Sequence, residues 1–238
     1  MQMPCDLSEA LQRQYYFFGT YLLEETNLEA WMAAARGART VFDVGANSGI
    51  YSLAALAAKP DAEVHAFEPT PEIAERLRQT AALNGLDRLV VHQTAVFSKD
   101  GQATLRRCGD DVGGNEGMNY IVSDLGGADA EHVPTIWLDT ACSQLGIDRI
   151  DLLKLDIQGH EAGALAGAGA LLAEGRVGTL FMELNWGEGD DCPASQAVRR
   201  LEDAGYLFAA PARRMTFKPA GDWMRRLSDI VARRPEPG

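Results

Sequence analysis

A single segment, Val41-Phe42-Asp43-Val44-Gly45-Ala46-Asn47-Ser48-Gly49, most constrains what this chain can fold into. An apolar run of strand length ends beside an acid, turns on a glycine and opens into a helical pattern. That is the entry into a strand–helix–strand unit, and such units build a parallel sheet covered by helices on both faces. The downstream pattern agrees. Strands are expected at 40–44, 63–67, 88–92, 150–155 and 178–183, and helices at 49–58, 71–84, 159–172 and 193–204. Pro71 suits a first helical residue, and Asn84-Gly85 a helix stop. The fold class is α/β, doubly wound and mostly parallel.

Other segments depart from this alternation. Residues 94–97 and 103–106 flank Lys99-Asp100-Gly101 and read as a hairpin. Residues 108–131 hold six glycines and six acids, a long loop with a short strand at 119–122; it faces substrate or is simply mobile. A further short strand is expected at 133–138. Residues 206–210 and 213–217 read as an antiparallel terminal pair joined through Pro211. Residues 7–35 read as mostly helical, with Asn27 capping a second helix at 28–35; they form a lid or plain core packing. The expected divisions are a helical lid or support at 1–38, a main domain at 39–232 and a frayed tail at 233–238.

The balance of 22 basic and 34 acidic residues gives a net charge of −12, which repels phosphate backbones and argues against nucleic acid as a partner. No run of 18 apolar residues is present, so no membrane span is expected. The polar, acidic first ten residues lack the form of a secretory leader. Cys5, Cys108, Cys142 and Cys192 are far apart and make no zinc spacing with the four histidines. Reduced thiols and a cytoplasmic location are the expectation.

Three signals point to a ligand. The first is the glycine loop. A dinucleotide loop needs G-x-G-x-x-G so that a pyrophosphate can rest on free N–H groups at a helix start. Here the spacing is D-x-G-x-x-x-G, with Asn47 at the middle position and Asp43 beside the turn. A carboxylate there is awkward for a pyrophosphate and suits an ammonium; S-adenosylmethionine carries an ammonium and no phosphate. The second signal is Glu68-Pro69 at the end of the next strand, an acid placed to accept from two ribose hydroxyls of any adenosine cofactor. The third is the apolar strand ending at Asp156, followed by Ile157-Gln158-Gly159-His160-Glu161. Ligands of open parallel sheets lie beyond the strand ends at the switch point, so Asp43 and Asp156 should converge.

Together, Phe42 to Gly49, Phe67-Glu68-Pro69, Asn84, Asp151-Leu152-Leu153-Lys154-Leu155-Asp156, Gly159, Glu161 and Glu183 resemble the FkbM family of S-adenosylmethionine-dependent methyltransferases, over roughly residues 19–185. The family usually has Glu where this chain has Gln158. The resemblance implies a class I methyltransferase fold, Rossmann-like, with a seven-stranded sheet. It implies methylation of hydroxyl oxygens on sugars, glycans or natural products. It implies that Asp43, Gly45, Asn47 and Gly49 hold the methionine part, Glu68 the ribose, Ala95 and Val96 the adenine, that Pro69 also belongs to the cofactor site, and that Asp156 faces the sulfonium and the acceptor.

A hydroxyl acceptor must lose a proton, which calls for a base near the transferred methyl. His160 is a candidate, or a solvated residue at a helix start. Asp156 is the other, or a group that only stabilises charge. Glu161 contacts substrate or ties down backbone N–H groups in its turn. Glu183 and Asn185 orient the acceptor. No resident metal is expected. An NAD(P)-dependent oxidoreductase and a non-catalytic S-adenosylmethionine-binding module are the rival readings.

Overall fold

The computed structural model describes residues 1–3, 13, 16, 25–107, 119–122, 131–187 and 191–235. Seven strands form the main sheet: β1 (Thr40–Val44), β2 (Glu63–Phe67), β3 (Leu89–His92), β8 (Ile150–Leu155), β9 (Val177–Glu183), β10 (Leu207–Ala209) and β11 (Asp229–Arg233). Their spatial order is β10-β11-β9-β8-β1-β2-β3, and β11 runs antiparallel to both its neighbours. β1 pairs with β2 on one side and with β8 on the other, all three parallel. The chain therefore reverses its direction of travel across the sheet beside β1. The crevice beyond the carboxyl ends of β1 and β8 is the place where such sheets take ligands.

Alternation along the strands splits the core into two layers. Phe42, Val44, Leu153, Leu155, Leu180 and Met182 face one side, with Leu165, Leu171 and Leu201 of α5 (Glu161–Ala166), α6 (Gly169–Ala173) and α7 (Pro193–Asp203). Val41, Leu152, Phe181 and Val231 face the other, with Trp31 of α1 (Glu25–Ala35) and Tyr51 of α2 (Ile50–Ala58). Trp31 is fully buried, edge-on to Tyr51 at 5.4 Å and to Phe181 at 5.3 Å, and its Nε1 donates to the Tyr51 carbonyl at 2.9 Å. α1 is thereby fixed to the sheet at the level of the crevice. It starts at Glu25, so Asn27 lies inside it and does not cap it. The rest of the expected helical lid lies largely outside the described residues.

Three further expectations are corrected. The segments around Lys99-Asp100-Gly101 do not pair with each other. β4 (Ala95–Val96) and β5 (Gly101–Arg106) each pair with β7 (His132–Ile136), in a second sheet ordered β4-β7-β5-β6 with β6 at Tyr120–Val122. The reason is visible at Asp100, whose carboxylate accepts from Trp137 N at 2.7 Å and Thr140 Oγ1 at 2.9 Å, tying the turn to the end of β7. Next, β10 pairs with β11 and not with 213–217; the following residue, Lys218, makes an isolated bridge to Phe208. Residues 229–233 thus form the antiparallel strand between β9 and β10. Last, the helix expected at 159–172 is two helices. A Cβ on Gly167 would meet Trp137 at 2.9 Å and the Phe97 carbonyl at 3.2 Å, and the chain breaks there to let α4 (Leu138–Leu145) and the second sheet approach. The long loop of 108–131 is described only at 119–122 and 131.

β2 and β3 share a buried imidazole pair: His65 Nδ1 lies 3.0 Å from His92 Nε2, and His65 Nε2 lies 3.1 Å from Glu63 Oε1. Burial lowers both pKa values, that of His92 to about 4, with the neighbouring His65 charge adding to it. The sign follows by linkage. The unfolded chain takes up these protons first, so the pair's contribution is whole above about pH 6.5 and is lost as pH falls toward 4. Melting temperature should drop across that window, and His92→Gln should flatten the slope; an equally steep slope in the variant would place the acid sensitivity elsewhere.

Candidate functional site

The site grows from the end of β1. Asp43 is fully buried, and its Oδ2 accepts from Ser52 N at 2.9 Å and Ser52 Oγ at 2.7 Å. It therefore caps the first turn of α2 from the strand, where a carboxylate complements the helix dipole. Its Oδ1 has no hydrogen-bond partner, and the nearest cation is Lys154 Nζ at 3.9 Å. Burial raises the Asp43 pKa, and Lys154 works against that rise. Lys154 is itself buried in β8 and spans the crevice floor. Its Nζ donates to Asp156 Oδ2 at 3.1 Å and to the Gly45 carbonyl at 3.3 Å, and it sits 4.9 Å above the Tyr51 ring. Asp43 and Asp156 do converge, through this one ammonium.

The glycine loop is held by its own N–H groups. Gly45 N and Ala46 N donate to the Phe67 carbonyl at 3.0 and 3.1 Å, Gly49 N to Ala46 O at 2.8 Å, and Asn47 N to Glu68 Oε2 at 3.0 Å. Donors that a phosphate-binding loop would offer to its ligand are thus spent inside the protein. Gly45 is required for packing as well as for its φ of 75°, since a Cβ there would fall 1.9 Å from the Asp156 carbonyl oxygen. At Gly49 a Cβ would fall 2.2 Å from Leu77 Cδ1, so this glycine seats the helix on α3 (Pro71–Leu83). Asn47 has φ 47°, a left-handed conformation that Asn tolerates better than most residues.

Glu68 is 5% exposed, with Oε1 accepting from Thr70 N at 2.8 Å. Burial raises its pKa, and the backbone donors at Thr70 and Asn47 oppose the rise. It lines an open cleft of about 660 Å³ together with Gly45, Asn47, Pro69, Ala95, Val96, Asp156 and His160. Eight of the expected site residues therefore meet at one cleft. Asp43, Gly49, Glu161, Glu183 and Asn185 are not in its wall; they lie behind or beside it. His160 packs on Phe97 at 5.3 Å, and the Ile121 backbone beside it favours its charged form. Burial holds its pKa below the ordinary histidine value.

Asp156 is also part of the wall of a second cavity, of about 710 Å³, with Asn27, Tyr51, Lys154, Glu183 and Asp229. Gln158 sits between the carboxylates: its Nε2 donates to Asp156 Oδ1 at 3.2 Å and to Glu183 Oε2 at 3.4 Å. Asn185 Nδ2 donates to the same Glu183 oxygen at 3.3 Å. Gln158 holds φ 54°, a strained position for a residue that is neither Gly nor Asn, as is common in functional loops. Burial opposes charge on Asp156, but Lys154 together with hydrogen bonds from Glu183 and Gln158 keeps this pKa below the usual value. Burial, then the charges of Asp156 and Glu161, push Glu183 up to about 7. Glu161 is buried and accepts from Ile157 N at 3.0 Å and Gly159 N at 3.2 Å, so it locks the turn that carries Gln158.

Sequence reasoning gave no site role to Lys154, Tyr51 or Asp229, and read Asn27 as a helix cap alone. A lone charged residue inside an apolar strand was a usable signal for Lys154. The others come from distant segments and carried none. Among the described residues, no group of three or more His, Cys, Asp or Glu side chains is arranged to hold a metal ion. Cys142 and Cys192 are buried free thiols. No helix among the described residues is long and apolar enough to cross a membrane.

The comparisons with known proteins fall on the same segments. 2-O-methyltransferase NoeI of Sinorhizobium fredii is 28% identical over 153 residues, covering 57% of this chain and 60% of the relative. The 31-O-demethyl-FK506 methyltransferase FkbM of Streptomyces tacrolimicus is 31% identical over 151 residues, covering 53% and 58%. The chain thus spans about three fifths of the length of these curated relatives. Among solved structures, an O-methyltransferase from Bacillus cereus in complex with SAH aligns with a TM-score of 0.49 at 11% identity, over 99% of this chain and 94% of that one. The strand order, with its antiparallel β11, is that of the class I methyltransferase fold. The model of the methyltransferase FkbM domain matches residues 43–208, from the capping acid of β1 to β10, and the chain belongs to that family.

Proposed function

We propose that this chain is an S-adenosylmethionine-dependent methyltransferase acting on a hydroxyl oxygen of a small molecule or glycan. The observation that carries this reading is the state of the glycine loop. Its N–H groups are bonded internally, and its acid, Asp43, already satisfies the helix start. That leaves no cradle for a pyrophosphate and argues against a dinucleotide oxidoreductase. The cleft instead offers buried carboxylates and apolar walls, which fit a cationic, phosphate-free adenosine cofactor. The oxygen acceptor rests on the relatives, the 2-O-methyltransferase NoeI and the 31-O-demethyl-FK506 methyltransferase FkbM.

When bound, the cofactor supplies an already activated methyl group, so the protein's task is to position and desolvate. Glu68 would accept from the ribose hydroxyls with the lone pairs its backbone donors leave open. Pro69, Ala95 and Val96 would flank the adenine. Asp156, held ionised by Lys154, would lie against the sulfonium. The second cavity, walled by the same Asp156, gives an acceptor a place to approach and favours an enzyme over a binding module.

Glu68→Ala tests the cofactor assignment. It leaves two hydroxyls and the Asn47 and Thr70 N–H groups without their acceptor, at a cost of about 1–3 kcal/mol in affinity for S-adenosylhomocysteine. Calorimetry that finds the affinity unchanged in a normally folded variant would put the ribose elsewhere.

A further inference from the structure

We propose that Glu183 is the proton acceptor for the incoming hydroxyl, in the second cavity on the side of Asp156 away from the cofactor cleft, with Gln158 as the positioning residue that holds it there. This rests on the methyltransferase reading and adds the identity of its base.

The geometry narrows the choice. The transferred methyl must leave the cofactor cleft beside Asp156, because Asp156 is in the wall of both spaces. Of the three carboxylates in the wall of the second cavity, Asp156 is bonded to Lys154 Nζ at 3.1 Å and to Gln158 at 3.2 Å, so its charge is committed, and Asp229 accepts from Ser228 Oγ at 2.7 Å. Glu183 lines the second cavity; the side-chain amides of Gln158 at 3.4 Å and Asn185 at 3.3 Å reach its Oε2, and the Asp156 carboxylate accepts from it when it carries a proton. Those long amide bonds orient the group without neutralising it. His160 is placed differently: it belongs to the cleft wall with Phe97 and Ile121, and it is absent from the second cavity.

The step balances simply. An oxygen lone pair of the acceptor hydroxyl forms the bond to the methyl carbon. The sulfur–methyl bond breaks and its electron pair stays on sulfur, giving S-adenosylhomocysteine. The hydroxyl proton passes to the Glu183 carboxylate, which later returns it to water. The groups facing Glu183 from neighbouring elements are Asp156 from β8, Glu161 from α5 and Asp229 from β11, all acids that favour its taking a proton. Lys154, the cation of this cavity among the described residues, is engaged with Asp156. A carboxyl that titrates near neutrality is well matched to this duty.

Sinefungin provides a test that needs no acceptor. It replaces the methyl sulfonium with an amine-bearing carbon, so its ammonium takes the place of the transferred methyl and points toward where the acceptor oxygen would stand. In the full-length protein, calorimetry from pH 6 to 8 should find S-adenosylhomocysteine affinity nearly flat. Sinefungin affinity should rise roughly tenfold as Glu183 ionises, through a charge-assisted hydrogen bond. Glu183→Gln should keep S-adenosylhomocysteine binding and lose that rise, and Gln158→Leu should weaken it. A rise of equal size in Glu183→Gln would overturn the proposal, and so would a flat sinefungin profile in the wild type. Failure of the wild type to bind S-adenosylhomocysteine at all would instead overturn the methyltransferase reading on which the proposal rests.

Discussion

Lys154→Met should cost about 3–5 kcal/mol of folding stability at pH 7, the range found when one partner of a buried charge cluster is removed. Lys154 is 6% exposed and is the cation shared by Asp43, with 0% exposed, and Asp156. Methionine fills much of the same volume, so the loss is electrostatic. Without the ammonium, both carboxylates are pushed toward the neutral form in the folded state. Their pKa values then rise above those of the unfolded chain, which makes the penalty largest at neutral pH and smaller as pH falls toward 4. Urea unfolding at pH 7 and pH 5 checks both statements. A deficit below 1 kcal/mol at pH 7, or one that grows on acidification, would show that Lys154 does not hold the crevice together.

Gly45→Ala should be nearly as damaging by a different route. The added Cβ would fall 1.9 Å from the Asp156 carbonyl and 3.2 Å from Ile157 Cγ2, in a residue with φ 75°. The carbonyl belongs to backbone that also carries Gln158, so relief requires the turn after β8 to move. Left-handed strain and overpacking together are worth on the order of 2–5 kcal/mol. Because that turn positions Asp156, cofactor affinity should fall as well. Gly37→Ala is the control: its Cβ would meet nothing nearer than the Ala34 carbonyl at 3.9 Å. If both variants unfold at the same denaturant concentration and bind alike, the close approach of the two turns is unimportant.

The parallel half of the fold was legible because each β–α unit repeats a local pattern: an apolar strand, a turn residue and a helix with its own caps. β1, β2, β8 and β9 were found within a residue or two of their ends. The second sheet was not, since β4, β5 and β7 are paired across residues 95–136 by contacts that no short-range pattern encodes. Asp100, which reaches Trp137 and Thr140, looks in sequence like an ordinary turn acid. β11 was missed because its partners are one strand about 50 residues upstream and a three-residue edge strand, while its own alternation is brief.

The site shows the same division. Glu68 and Asp156 stood at the ends of apolar runs, where a carboxylate has few structural reasons to be. Asp43 stood there too, yet its side chain turns inward to Ser52 and the helix start. Strand position alone cannot tell a carboxylate that faces a ligand from one that caps a helix, because the difference is a single side-chain rotation. Gln158 appeared only as a departure from the resembled family. Its amide between Asp156 and Glu183 emerges when β8 and β9 are placed side by side.

The central claim is that this glycine loop serves a phosphate-free adenosine cofactor. Calorimetric titration of the purified chain with S-adenosylhomocysteine and, separately, with NAD tests it most directly. The account predicts saturable one-to-one binding of S-adenosylhomocysteine and no heat from NAD. Saturable NAD binding with none of S-adenosylhomocysteine would contradict it.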